Sequence, residues 1–140
     1  MKLDMPKDIS ILYRKMCVVL NMRFESIGLS TSKAMFLMCL HQSGSLTQAD
    51  LCRKLDMDKA AVAKALAHLE ADGFVTKCKN PEDVRSLVVS LTSKAVDLIP
   101  EIEKINTQWV DTLTDNMTDI EREAFICLLH KATERVSSMY

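Results

Sequence analysis

Apolar positions along this chain form a succession of helical stripes, interrupted once by strand-like alternation. Between Ile9 and Phe24 they fall at Ile9, Leu12, Tyr13, Met16, Leu20 and Phe24. Steps of three and four mark one face of a helix. Gly28 breaks the stripe, and Ser30 stands where a cap for the next helix belongs. That helix, "TSKAMFLMCLHQ", is apolar nearly all round, so it is expected at the buried centre, with Gly44 ending it. Thr47 opens "TQADLCRKL", where Asp50 three residues on makes a short-acid capping box and Leu51, Cys52 and Leu55 form the inner face. The turn "LDMD" follows. Asp58 then caps "KAAVAKALAHLEADG", which should bury Val62, Ala65, Leu66 and Leu69 and stop at Gly73.

The period now changes. "FVTKCK" alternates Phe74, Thr76 and Cys78 against Val75, Lys77 and Lys79, and "SLVVSL" returns after the turn "NPED". Two short strands around a turn predict a β-hairpin. Thr92 caps a long helix toward Thr114, with a stripe of Val96, Ile99, Ile102, Ile105, Trp109 and Leu113. Pro100 inside it removes one backbone bond and predicts a kink. "TDIE", Thr118 to Glu121, is a full capping box. The last helix is expected to bury Ile120, Phe125, Leu128, Leu129, Ala132 and Val136. No repeat or linker interrupts the pattern, so one domain is expected over residues 1–140.

Composition narrows the function classes. A chain of 140 residues with 48% apolar residues can bury a real core. Its apolar runs are far shorter than a bilayer span, and "MKLDMPKDIS" carries Asp4, Pro6 and Asp8 where an export signal needs an apolar stretch. A cytoplasmic protein without a membrane partner is expected. The five cysteines form no C-x-x-C pair, which argues for free, mostly buried thiols and against a metal site. No Ser-His-Asp set or H-E-x-x-H occurs, and three glycines do not make a phosphate-cradling loop. Neither an enzyme nor a cofactor is expected. Charge is uneven: residues 1–45 carry net +3, residues 46–91 net zero and residues 92–140 net −4. The acidic C-terminal part is therefore not expected to face nucleic acid.

The order helix, short helix, tight turn, helix, hairpin predicts a winged helix-turn-helix: mainly α, with a small β-hairpin wing. Such a module places its second helix in a DNA major groove and its hairpin in a neighbouring groove. The solvent face of Lys59–Gly73 carries Lys59, Lys64 and His68 among Ala60, Ala61, Ala63 and Ala67. Small residues permit close approach to base edges, and lysines bind phosphate. Thr47 and Gln48 begin a helix whose N–H groups suit a phosphate. Lys77 and Lys79 are further candidate phosphate contacts.

"LTQADLCRKLDMDKAAVAKALAHLEADGFVTKCKNPEDVRSLVVSLTSKA", Leu46 to Ala95, resembles the DNA-binding core of MarR-type transcriptional regulators. The matching residues are Leu69, Glu70, Gly73, Phe74 and Val75, then Pro81, Asp83, Arg85, Leu91 and Thr92. The resemblance implies a homodimer, with residues 1–29 and 93–140 as dimerisation helices and 30–92 as the DNA-binding lobe. It implies a pseudo-palindromic operator, and action as a repressor or, less often, an activator. Arg85 becomes the wing's minor-groove probe, with Asp83 positioning its guanidinium. Many members respond to small, often phenolic ligands bound between lobe and dimerisation region. A smaller branch senses oxidants through cysteine, for which Cys17 is the candidate here. The chain departs from the pattern at Ala60, Ala61, Ala63 and Lys64, where members carry Ser-Thr and a later Thr or Arg, and at Val84, where they carry Arg. Specificity then shifts toward thymine-methyl contacts or DNA shape. The alternative class is a winged-helix protein-interaction module with weak or no DNA binding.

Overall fold

The structure, a computed structural model, describes residues 2–140. They form two compact units, one up to Asn106 and one from Thr107.

The first unit opens with a short 3-10 turn, Lys2–Asp4, and helix α1, Met5–Glu25, which carries Pro6 in its first turn, where no N–H is missed. Helix α2, Thr31–Ser43, begins where the Ser30 hydroxyl accepts the Lys33 N–H at 3.2 Å and ends at Gly44, whose φ of 75° suits a residue without Cβ. It buries Ala34, Phe36, Leu37 and Leu40, as its nearly uniform apolarity predicts. Strand β1 (Leu46–Thr47), helix α3 (Gln48–Leu55), helix α4 (Lys59–Ala71) and strands β2 (Val75–Lys79) and β3 (Leu87–Leu91) follow, and helix α5 starts at Ser93. The antiparallel sheet has the order β1-β3-β2, with Val75 opposite Leu91, Lys79 opposite Leu87, and Leu46 opposite Val89. The hairpin is the predicted one. Strand β1 was not foreseen, because two residues show no periodicity and Thr47 is recognisable only as a cap.

Leu37, Leu51, Val62, Leu66, Leu69, Val89 and Ile102 form the centre of the core. Burial of each such side chain stabilises by about 1.5–3 kcal/mol. Four hydrogen bonds link the end of α4, the base of the hairpin and the start of α5. The Phe74 N–H donates to Leu69 O at 2.9 Å and the Thr92 N–H to Phe74 O at 3.0 Å. The Thr92 hydroxyl donates to Gly73 O at 2.7 Å and accepts the Ala95 N–H at 3.3 Å. The expected stripe on α5 needs one correction: Val96 is exposed and Ala95 is buried, so the inner face runs Ala95, Ile99, Ile102, Ile105. Ala65 of α4 is half-buried. On α1 only Leu20 and Phe24 are buried, while Ile9, Leu12 and Tyr13 lie exposed.

The second unit holds the end of α5, which runs to Leu113 and contains Pro100, and helix α6, Asp119–Ser137. The capping box is complete: Glu121 N–H donates to the Thr118 hydroxyl at 3.2 Å and Thr118 N–H to the Glu121 carboxylate at 2.9 Å. Buried Thr114 satisfies its hydroxyl by donating to Val110 O at 2.7 Å. The expectation that α6 buries its apolar stripe is overturned. Ile120, Leu128, Leu129, Ala132 and Val136 are exposed and Phe125 is half-buried. The stripe is present, but a single chain supplies no second layer to cover it. The cysteines are corrected likewise: Cys17, Cys39 and Cys52 are half-buried, and Cys78 and Cys127 are exposed. Among the described residues no helix is long and apolar enough to cross a membrane.

Candidate nucleic-acid interface

Three local features fix where α3 begins and ends and where α4 begins. At the start of α3 the Thr47 hydroxyl accepts the Asp50 N–H at 3.1 Å and the Asp50 carboxylate accepts the Thr47 N–H at 3.1 Å. Arg53 adds a 2.7 Å contact to Asp50. These bonds, that from the Thr47 backbone first, hold the Asp50 carboxyl below its ordinary value. Asp56 closes α3 in the left-handed region, at φ 51°. Asp58 then caps α4 by accepting the Ala61 N–H at 2.7 Å. The outcome is an α4 whose Val62, Leu66 and Leu69 are buried and whose Lys59, Ala60, Lys64, Ala67 and His68 are exposed, with Ala61 and Ala63 half-buried.

The acids of α4 are taken up at its far end. Glu70 pairs with Lys77 at 3.7 Å and Asp72 with Lys33 at 2.9 Å. The Lys33 ammonium also depresses the Asp72 carboxyl. Lys77 lies on the β2 face of buried Val75 and is engaged by an acid, which separates it from the other predicted contacts. Lys59, Lys64, Lys79 and Arg85 form no ion pair among the described residues.

The wing tip is internally bonded. The Asn80 N–H donates to Ser86 O at 3.1 Å, and the Asn80 amide donates to the Ser86 hydroxyl at 3.0 Å while accepting the Glu82 N–H at 3.0 Å. The Asp83 carboxylate accepts the backbone N–H of Arg85 at 3.0 Å. Asp83 therefore positions the tip through its main chain, in place of the expected grip on the Arg85 guanidinium. The Asn80 network escaped the sequence reading, although an Asn-Pro dipeptide opening a turn is its signal.

Thr47, Gln48 and Lys59 meet Asp83 and Arg85 along one cavity of about 700 Å³ between the wing and the α3–α4 side of the lobe. Ala49, Ser86 and Leu87 complete its walls and were not singled out from the sequence. The Gln48 amide lies 3.4 Å from Lys59 O. A second cavity of about 650 Å³ sits at the opposite end of α4, lined by Ile27, Phe74, Leu98, Lys94 and Asp97. There the Lys94 ammonium donates to Asp72 O at 2.7 Å and stands 4.5 Å over the Phe74 ring.

Cys17 lies apart from all of this, on α1. Its structural neighbour is the Tyr13 hydroxyl, whose hydrogen bond to the thiol raises the Tyr13 phenol above its ordinary value. Adjacent Arg14 is directed to the Ser10 hydroxyl at 2.5 Å. No group of His, Cys, Asp and Glu among the described residues is arranged to hold a metal ion.

Helix, capped short helix, left-handed turn, capped helix and a rigid two-stranded hairpin together define a winged helix-turn-helix. The MarR family profile matches residues 29–87. The chain is 30% identical over 105 residues to the HTH-type transcriptional regulator YwoH of Bacillus subtilis, covering 75% of this chain and 76% of that protein. It is 27% identical over 126 residues to the HTH-type transcriptional repressor YetL of the same organism, covering 89% and 75%. A MarR family transcriptional regulator from Listeria monocytogenes, complexed with 26mer DNA, superposes with a TM-score of 0.87 over 94% of this chain and 88% of that one, at 21% identity. The chain belongs to the MarR family of transcriptional regulators, and it is not an enzyme.

Proposed function

We propose that the protein is a DNA-binding repressor acting as a homodimer on a pseudo-palindromic operator. One observation carries the reading: a single cavity brings the N-terminus of α3, Lys59 at the start of α4 and Arg85 of the wing together. A duplex backbone strand lying there has its phosphates against the Thr47 and Gln48 end of α3 and against Lys59. Arg85 enters the minor groove on one side of that strand, and α4, with Ala60, Ala61, Lys64 and His68, enters the major groove on the other. Lys79 extends the contact along the backbone. Lys77 is the weakest member of the set, because Glu70 already holds it. The direction of control is supported by YetL, which is named a repressor.

The homodimer reading rests on the uncovered faces of α1 and α6. Exposed Ile9, Leu12 and Tyr13 on one, and Leu128, Leu129 and Val136 on the other, are apolar stripes that a second copy covers. A small-molecule effector fits the cavity at Lys94, where an ammonium and an aromatic ring flank apolar Ile27 and Leu98.

The test is a mobility shift on the DNA upstream of the protein's own gene. Arg85→Ala and Lys64→Ala should each weaken binding. The salt dependence should flatten by about one unit of slope for each phosphate the variant no longer neutralises. Undiminished binding by both variants overturns the site. A dimer that binds no DNA at low salt instead supports a protein-interaction module.

A further inference from the structure

The surface that faces DNA in this reading is unusual in what it does not offer. From Lys59 to Ala67, α4 presents two ammonium groups and a series of methyls, and no hydrogen-bond acceptor. Its carboxylates are all committed elsewhere. Asp58 accepts the Ala61 N–H, Glu70 holds Lys77 and Asp72 holds Lys33. Recognition of the amino group of adenine or cytosine in the major groove needs an acceptor, so α4 has no direct means of reading either between Lys59 and Ala67, and only beyond that stretch does exposed His68 bring an imidazole nitrogen. Ammonium groups suit guanine N7 and O6, and methyl groups suit the 5-methyl of thymine.

The wing repeats this chemistry. Its polar atoms are spent on holding the tip, through Asn80, Asp83 and Ser86. Val84, 78% exposed, projects from that bonded turn between the exposed Glu82 and Arg85, and Arg85 forms no ion pair among the described residues. A branched apolar side chain on a minor-groove floor fits where the floor is smooth. The 2-amino group of guanine is the one feature that raises it. Arg85 is drawn to the narrow, strongly negative groove of A·T runs.

Resting on the DNA-binding reading above, we infer that this regulator selects its operator by shape-filling apolar contact. Ala60, Ala61 and Ala63 read thymine methyls in the major groove, and Val84 rejects guanine amino groups in the minor groove. The DNA class is an operator with thymines under α4 and A·T pairs under the wing.

The experiment starts from a randomised duplex pool, enriched on the full-length protein at low salt. On the best duplex, thymine is replaced by uracil at each position, which removes only the methyl. Separately, A·T pairs are replaced by G·C and by inosine·C, which differ only by the 2-amino group. Uracil at two or three clustered positions should weaken binding about four-fold each. G·C at the flanking positions should weaken it about ten-fold, with inosine·C restoring most of the affinity. Exposed Val84→Ala should abolish the difference between G·C and inosine·C and leave the uracil effect intact. An enriched duplex indifferent to uracil and to the 2-amino group overturns this inference and leaves DNA binding standing. A pool that yields no enriched duplex overturns the DNA-binding reading itself, and this inference with it.

Discussion

At the scale of single residues, what matters is whether a side chain is free or already engaged. Lys64 and Lys77 looked alike in sequence, each a basic residue in the module. The structure separates them, since Glu70 lies 3.7 Å from Lys77 and nothing acidic holds Lys64. Lys77→Ala should therefore change DNA affinity much less than Lys64→Ala, a contrast that titration by fluorescence anisotropy measures directly. No spacing rule reveals such an ion pair, because its partners meet only after α4 packs on β2. Thiols sort the same way. Cys78 and Cys127 are exposed, while burial pushes the Cys39 thiol up. A thiol-disulfide reagent at neutral pH should modify Cys78 and Cys127 first and Cys39 last, as timed mass spectrometry would show. Both were expected in the core, Cys127 for its apolar neighbours Ile126 and Leu128 and Cys78 for its place in an alternating strand, but both are exposed.

Elements are where the sequence was most legible, because caps are local chemistry. Ser30, Thr47, Asp58, Thr92 and Thr118 were each expected to start a helix, and each does so with a side-chain oxygen accepting a backbone N–H. Thr47→Ala should cost about 1 kcal/mol in denaturant unfolding, by removal of the α3 cap. The acid limb of stability follows from the same boxes. The Thr47 backbone N–H depresses Asp50, and the Thr118 backbone N–H depresses Glu121. A carboxyl depressed in the folded state stabilises above its unfolded value, near pH 4, and that stability is lost as pH falls through the folded value. Asp50→Asn, which keeps an acceptor at the cap, should flatten the fall in melting temperature below about pH 4 without abolishing folding. Strand β1 was illegible for the opposite reason. Its existence depends on β3 arriving from far downstream in the chain, with Leu46 set against Val89.

For the whole molecule, periodicity revealed which faces are apolar and could not say what covers them. The stripe on α6 was correctly located and wrongly buried. Ile120 is 81% exposed, and Leu128, Leu129 and Val136 are each more than half exposed. A single chain with such faces on α1 and α6 should not persist alone in water. Light scattering should give twice the chain mass of 15.8 kDa. Leu128→Glu with Leu129→Glu should shift it toward a single chain and reduce operator affinity by at least ten-fold, because a dimer engages two half-sites together. A dimer mass retained by that double variant would move the interface away from α6.

The joint at Thr92 and Lys94 bears on how such a regulator is switched. One hydroxyl and one ammonium bind the first turn of α5 to Gly73 O and Asp72 O, the carbonyls at the trailing end of α4. With those bonds intact, α4 behaves as a crank on the α5 shaft. Were the first turn of α5 to tilt, those bonds would carry α4 with it through an arc. In a two-headed assembly that arc changes the span between heads, and DNA tolerates only one span per helical turn. A change at Lys94 would then be felt at the operator as a change in the spacing of the heads, with every DNA-facing side chain left untouched.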